Sequence, residues 1–402
     1  MTNACTIMLT LGLGVAPAAE RAATTQPAAV ATQPGAATTQ PAAVDRALLR
    51  QQVAPAIEKA LRYLAGAQQA DGGWQGPFGG SDPAISALVA KTFIQHPDYG
   101  AKHPIVQRAL RFLLKFQQED GGIYSPQIGY RNYTTSVVLM ALAATEDPAL
   151  NQEIQSGQNF LKDNQWVEGK YDADGRPIDS GHPWYGGAGY GQHKRPDLSN
   201  TQMMLEALHQ SGLPPSDPVY RRALKFVQRC QMWSQGNDQP FARGAEDGGF
   251  IYTAANDGES KAGTVIVKGK PILRSYGSMT YAGFKSMLYA NVDCDDPRVQ
   301  RAWDWIRRHY TLESNPNMPG AQSKQGLYYY YHVFSKALEA RDQPSVLDAA
   351  GVKHDWRAEL AEKLLTLQHA DGSWVNTADR WQEGNPHLVT AYAVLALQTA
   401  VR

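Results

Sequence analysis

The chain has 402 residues, 43% hydrophobic and 19% charged, with 38 Lys+Arg against 38 Asp+Glu. A neutral chain without a Lys/Arg-rich run has no long-range pull on polyanions, which argues against nucleic acid and an anionic membrane surface as partners. Three cysteines, Cys5, Cys230 and Cys294, cannot build a disulfide framework, and no C-x-x-C spacing marks structural zinc, so burial has to supply the stability.

Taken from the N-terminus, residues 6–15 form a short apolar run followed by Ala16-Pro17-Ala18-Ala19, the small-residue pattern of a cleavage region. Residues 1–19 therefore read as a signal peptide, although no Lys or Arg precedes the run, and the protein is expected to be exported, periplasmic or secreted. The run is too short for a transmembrane segment. An octapeptide, Ala23-Thr-Thr-Gln-Pro-Ala-Ala-Val30, recurs letter for letter at Ala37–Val44. This Ala/Thr/Gln/Pro composition has too few large apolar side chains to offset chain entropy, so residues 20–44 are expected to be a disordered linker.

From Asp45 to Arg402 one phrase repeats. It reads Gln68-x-x-Asp71-Gly-Gly-Trp74, Gln117-x-x-Asp120-Gly-Gly-Ile123-Tyr124 and Gln368-x-x-Asp371-Gly-Ser-Trp374, with a version lacking the Gln at Glu246-Asp247-Gly-Gly-Phe250. Most copies end an amphipathic helical pattern, and the glycines stop that helix. Several of these helices begin at Asp-Pro (147–148, 217–218, 296–297), an acidic cap followed by proline at the first helical position. A second helix, apolar on more of its circumference, follows each turn: 85–93, 134–144, 201–209, 279–290, 328–338 and 389–400. Alternating amphipathic and buried helices predict an all-α fold, an (α/α)6 toroid of six hairpins with the buried set inside. An open solenoid is the alternative, but it needs polar capping repeats and the last helix here is apolar. In a toroid every outer-to-inner connection lies at one end of the ring. The two longest connections, after Val167 and after Ser234, sit there and make that end the expected mouth of a site.

The repeat resembles the QW motifs of squalene-hopene cyclases, in the terpenoid cyclase and protein prenyltransferase β-subunit superfamily, over essentially residues 45–402. The resemblance implies an apolar, isoprenoid-like ligand in the central cavity. Class II cyclases carry a D-x-D-D-T motif at an inner-helix N-terminus, and Asp197-Leu198-Ser199-Asn200-Thr201 stands at the corresponding place. Its first Asp and its Thr match, while a hydroxyl, Ser199, replaces the proton donor. Asp197, with Asp82, is thus the candidate catalytic residue, and a helix cap is the alternative reading of Asp197. Asp293-Cys294-Asp295-Asp296 spells D-x-D-D but falls at the opposite end of the ring, where it should cap the next outer helix. The zinc-binding Asp, Cys and His of prenyltransferases have no match, so neither metal nor cofactor is expected.

Aromatic residues concentrate near the interior. Tyr130, Tyr190, Tyr276 and Tyr328 are candidate ligand-binding rings, either shaping an apolar ligand or simply filling the centre. Arg131, His182, Trp184, His193, Arg274, His332 and His387 are the polar and aromatic candidates at the mouth. The Gly-rich stretch 182–191 could form a hinged flap, and Arg274, His193, Lys194 and Arg195 could hold an anionic head group. Three functions follow: a terpenoid-cyclase-like toroid binding an isoprenoid, a non-catalytic toroid binding a protein partner, and a carbohydrate-active toroid using mouth carboxylates.

Overall fold

The computed structural model describes residues 45–191 and 195–402. The expected leader (1–19), the linker (20–44) and the candidate His193 lie outside the described residues. Among the described residues twelve α-helices alternate between two layers. The outer set is α1 (Arg46–Gly66), α3 (Pro104–Leu114), α5 (Asn151–Asn164), α7 (Pro218–Arg229), α9 (Pro297–Arg308) and α11 (Trp356–Leu367). The inner set is α2 (Pro83–Ile94), α4 (Arg131–Ala143), α6 (Leu198–Gln210), α8 (Gly277–Tyr289), α10 (Leu327–Arg341) and α12 (Pro386–Ala400). Each inner helix packs on the next, and α12 packs on α2, so the inner layer closes on itself. Helix α1 covers the seam by packing on α11 and α12. The architecture is the closed (α/α)6 toroid, not the open solenoid.

Hydrophobic pattern explains the layers. Helix α7 buries Val219, Tyr220, Ala223, Phe226 and Val227 along one stripe, whereas α12 buries every residue from Leu388 to Ala400. Three inner helices begin earlier than their apolar runs suggest: α4 at Arg131, α6 at Leu198 and α12 at Pro386. Their first turns carry polar side chains toward the mouth, which the search for apolar spacing passes over. Asp217 and Asp296 accept from Val219 N and Arg298 N at 2.9 Å, capping α7 and α9. The literal D-x-D-D stretch is therefore a cap, while Asp147 instead opens a short 3-10 turn ahead of α5.

The repeat is a clamp between successive hairpins. Gln68 Nε2 donates to Gly72 O at 2.9 Å within its own turn and to Ile105 O at 3.0 Å in α3. Gln368 makes the same pair of bonds to Gly372 O and to Ala56 O of α1, which ties the last hairpin to the first. Gly72 and Gly372 both have φ +97°, and a Cβ on either would come within 2.5–2.6 Å of a carbonyl oxygen of the neighbouring outer helix. The tryptophans complete the clamp: Trp74 Nε1 and Trp374 Nε1 donate to Leu64 O and Leu364 O, at the end of the preceding outer helix.

The clamp also occurs where its letters are scrambled. Gln231, on the short strand β1 (Gln231–Trp233) paired with β2 (Glu246–Phe250), bonds Gly248 O and Arg298 O. Gln165 bonds Gly186 O and Val219 O. The stretch 182–191 thus supplies a further repeat turn, with the Gly186 backbone pressed against Arg222 O of α7, and a hinged flap does not describe it.

Candidate functional site

A cavity of about 250 Å³ opens at the mouth, between the first turns of all six inner helices. Seven tyrosines line it: Tyr130, Tyr133, Tyr190, Tyr252, Tyr276, Tyr329 and Tyr392. Trp381 stands at its edge, 42% exposed, and Ile85, Met279 and Leu388 supply aliphatic wall. Hydroxyls knit the tyrosines together. Tyr133 and Tyr392 are joined O to O at 2.8 Å, and Tyr329 accepts from Gln202 Nε2 at 3.0 Å and lies 3.3 Å from Ser199 Oγ. A helix directs successive side chains about 100° apart, so the four tyrosines 328–331 divide between roles. Tyr329 faces the cavity, while the hydroxyls of Tyr330 and Tyr331 donate to Thr311 O and Leu312 O. Tyr328 packs on Tyr331 and is absent from the wall.

Two carboxyl groups line the cavity among the described residues, Asp82 and Glu383. Asp82 caps α2, accepting from Ala84 N at 2.8 Å and Ile85 N at 2.9 Å; burial raises its pKa against these bonds. Glu383 does for α10 what its own N-cap cannot. Gly326 holds that position in a left-handed conformation without a side chain, and Glu383 reaches over from the α11–α12 connection to accept from Tyr329 N at 2.7 Å. Its other oxygen accepts from Asn376 Nδ2 at 2.6 Å, and burial pushes its pKa up to about 7. Trp381 and Gln382, immediately before it, both have positive φ, 58° and 69°. Two consecutive non-glycine residues in that region are strained by about 1–3 kcal/mol each, strain that concentrates at functional sites.

Asp197 is not on the wall. It caps α6, bonded to Asn200 N at 2.8 Å and Asn200 Nδ2 at 2.9 Å, and burial raises its pKa to about 6. Tyr190 and Tyr252, which neighbour it, are on the wall instead. Thr201, the matching Thr of the resemblance, has a structural duty shared around the ring: its hydroxyl accepts from Ala188 N, as Ser86, Thr135, Thr280 and Thr390 accept from Trp74, Ile123, Phe250 and Trp374 N. Ser199 does face the cavity. The place where the resembled cyclases carry their proton donor therefore holds a hydroxyl on the wall.

Of the remaining candidates, Tyr130, Tyr190 and Tyr276 line the cavity. Arg131 sits over the Tyr124 ring at 4.9 Å. His182 lies 3.2 Å from Asp172, and Trp184 packs on Trp166 in a small separate core with Ile178 and Ala255. Arg274 reaches back to Thr264 O, at the base of an exposed hairpin of β3 (Thr264–Val267) and β4 (Lys270–Leu273). His387 Nδ1 is 3.2 Å from Gln75 O, outside the wall. His332 is buried below it, stacked on Tyr392 at 5.4 Å, and burial lowers its pKa to about 3. The cavity thus gathers Tyr130, Tyr190, Tyr276 and Asp82 and leaves out Tyr328 and, among the described residues, Arg131, Arg274, His182, His332 and His387. Sequence reasoning missed Tyr252, Lys261, Trp381 and Glu383, which lie in the α7–α8 and α11–α12 connections beyond their repeat letters. Gly326 at a helix start was the one available signal, because a glycine there cannot cap the helix with its own side chain.

No family model matches the chain, and no curated protein matches it in sequence. Among solved structures it is similar to type II terpene cyclase MstE from Scytonema bound to its substrate geranylgeranyl dihydroxybenzoate, with a TM-score of 0.54 and 15% identity, over 88% of this chain and 99% of that one. It is also similar to the α-1,6-mannanase GH76A of Salegentibacter, with a TM-score of 0.54 and 8% identity, over 86% of this chain and 99% of that one. These likenesses show the α/α-toroid fold, which carries unrelated chemistries.

Proposed function

We propose that the protein binds a compact isoprenoid or similar apolar ligand in the central cavity. The observation that carries this reading is the wall itself: seven tyrosine rings, Trp381 and the aliphatic side chains of Ile85, Met279 and Leu388, enclosed by six inner helices. Concave, largely apolar sites with a few placed polar groups are where small ligands bind. If the ligand is also transformed, proton transfer falls to Asp82 or Glu383, since a hydroxyl at Ser199 cannot protonate an alkene. The test is incubation of the purified protein with squalene, prenyl alcohols and prenyl diphosphates, followed by extraction of bound lipid and product analysis. Retention of a prenyl compound is expected, with loss of retention when Met279→Trp fills the wall. Failure to retain any of them would sink the reading.

A second reading has its own support. Two buried carboxyls on one cavity and an exposed indole at its edge are also what a carbohydrate-active toroid uses, the acids for proton transfer and the ring as a sugar platform. Release of reducing sugar from α-linked oligosaccharides, abolished by Asp82→Asn, would decide for it. A protein-partner reading draws on the β3–β4 hairpin, where Val265, Ile266 and Val267 are exposed.

A further inference from the structure

The charge on the cavity wall leads to the chemistry of the head group. Asp82 and Glu383 are the acids on the wall, and Lys261 is the one basic side chain there among the described residues. Lys261 is not free: its ammonium bonds Glu259 and lies 4.6 Å from the centroid of the Tyr252 ring. Arg195 is held by the same Glu259, 5.5 Å above the same ring. The cavity therefore presents two carboxyls and a set of aromatic rings with no unpaired described cation among them.

The inner-helix N-termini do not reverse this balance. A bare helix N-terminus attracts anions through its unpaired N–H groups. Here Asp82 caps α2, Asp197 caps α6, Asn385 caps α12, Glu383 accepts from the first turn of α10 and Asn315 Oδ1 accepts from Ser278 N of α8, so five of the six have an acceptor from the protein, while α4 begins at Tyr130 without a side-chain cap. At α2 and α10 a diphosphate would meet carboxylates where it needs donors.

Resting on the reading that the central cavity is the ligand site, we propose that its ligand is an organic cation, an apolar body bearing a protonated or quaternary amine. The ammonium would lie among the tyrosine faces, which attract cations through their ring quadrupole, with Asp82 and Glu383 as counter-charges. Lys261 on Tyr252 is the protein's own instance of this contact. A positive charge in the cavity also favours the ionised form of both carboxyls, which burial alone disfavours.

Three probes of one chain length separate the head groups: geranylamine, geraniol and geranyl diphosphate, titrated into the full chain by calorimetry with product analysis of each mixture. Geranylamine is expected to bind at least about tenfold more tightly than geraniol, a cation–π and charge contribution of ordinary size, and the diphosphate most weakly. Asp82→Asn, which keeps a capping side chain, should shrink the ratio of geranylamine to geraniol affinity toward one, and Glu383→Gln should do the same, with circular dichroism and melting checking the fold of each; a ratio that both variants leave at its original value would overturn the role of the two carboxyls. Equal affinity for amine and alcohol, or tightest binding of the diphosphate, would overturn the cation inference and leave the isoprenoid reading standing. Conversion of geraniol to a cyclic product would mean that charge is generated in the cavity instead of brought to it, and would also overturn it. Binding of none of the three would remove both.

Discussion

Glu206 of α6 and Lys285 of α8 form an ion pair inside the ring, their side chains 1% and 0% exposed. Burial alone would raise the Glu206 pKa, but Lys285 and the nearby His332, Lys336 and Lys91 hold it well below the usual range. Removing one partner of such a pair leaves a buried charge uncompensated. Glu206→Gln is expected to cost about 3–5 kcal/mol in urea unfolding, and Glu206→Met with Lys285→Met should recover most of the loss. Glu383 has the opposite pH behaviour. Its pKa rises from 4.5 to about 7 on folding, so between those values the folded chain holds a proton that the unfolded chain releases. Its contribution to stability is thus largest below pH 4.5 and falls as pH rises toward 7. Melting curves of Glu383→Gln should lack that part of the decline, and an unchanged pH profile would contradict the assignment. None of this was legible in sequence, because a charged residue looks the same whether its partner is solvent, another inner helix as for Glu206, or a backbone N–H reached from a connection as for Glu383.

At the scale of elements, the repeat phrase proves to be a set of bonds, not a site. Its Gln joins two hairpins, its Asp accepts from the second residue on, as Asp71 does from Gly73 N, and its Gly gives way to a neighbouring carbonyl. Gly372→Ala should destabilise by at least about 1 kcal/mol, since a Cβ there meets Lys59 O at 2.6 Å and φ is positive. Thr201→Val leaves Ala188 N buried without its acceptor and should cost about 1–3 kcal/mol in the same unfolding assay. The same variant bears on the D-x-D-D-T likeness: if Thr201 only braces a turn, ligand retention should survive wherever the fold does. Helix type, order and layer were readable from apolar spacing. The register of Gln165 and Gln231 was not, because their glycines lie 21 and 17 residues away.

For the whole molecule, closure is the property with consequences. A ring in which α12 packs on α2 and α1 covers the seam should unfold as one unit, whereas an open array loses repeats from its ends. Deleting residues 1–66 is therefore expected to lower Tm and to replace a single sharp transition by a broad one. An unaltered, equally sharp transition would mean that the seam contributes nothing to cooperativity. Closure also brings first turns from six separate hairpins to one cavity, which puts Asp82 and Glu383 on the same wall although 300 residues lie between them in the chain.

The sequence by itself determined the helical alternation, the inner and outer layers and the closed toroid, because those depend on periodicity and on turn residues that act locally. It also marked the mouth as the place to look, since long connections gather at one end. Which tyrosine of four faces inward, which acid lines the cavity and which caps a helix behind it, and which lysine is already paired were decided only by the tertiary structure. Each is set by the rotation of one helix against its neighbours or by a loop reaching across to another hairpin, and neither leaves a pattern along the chain.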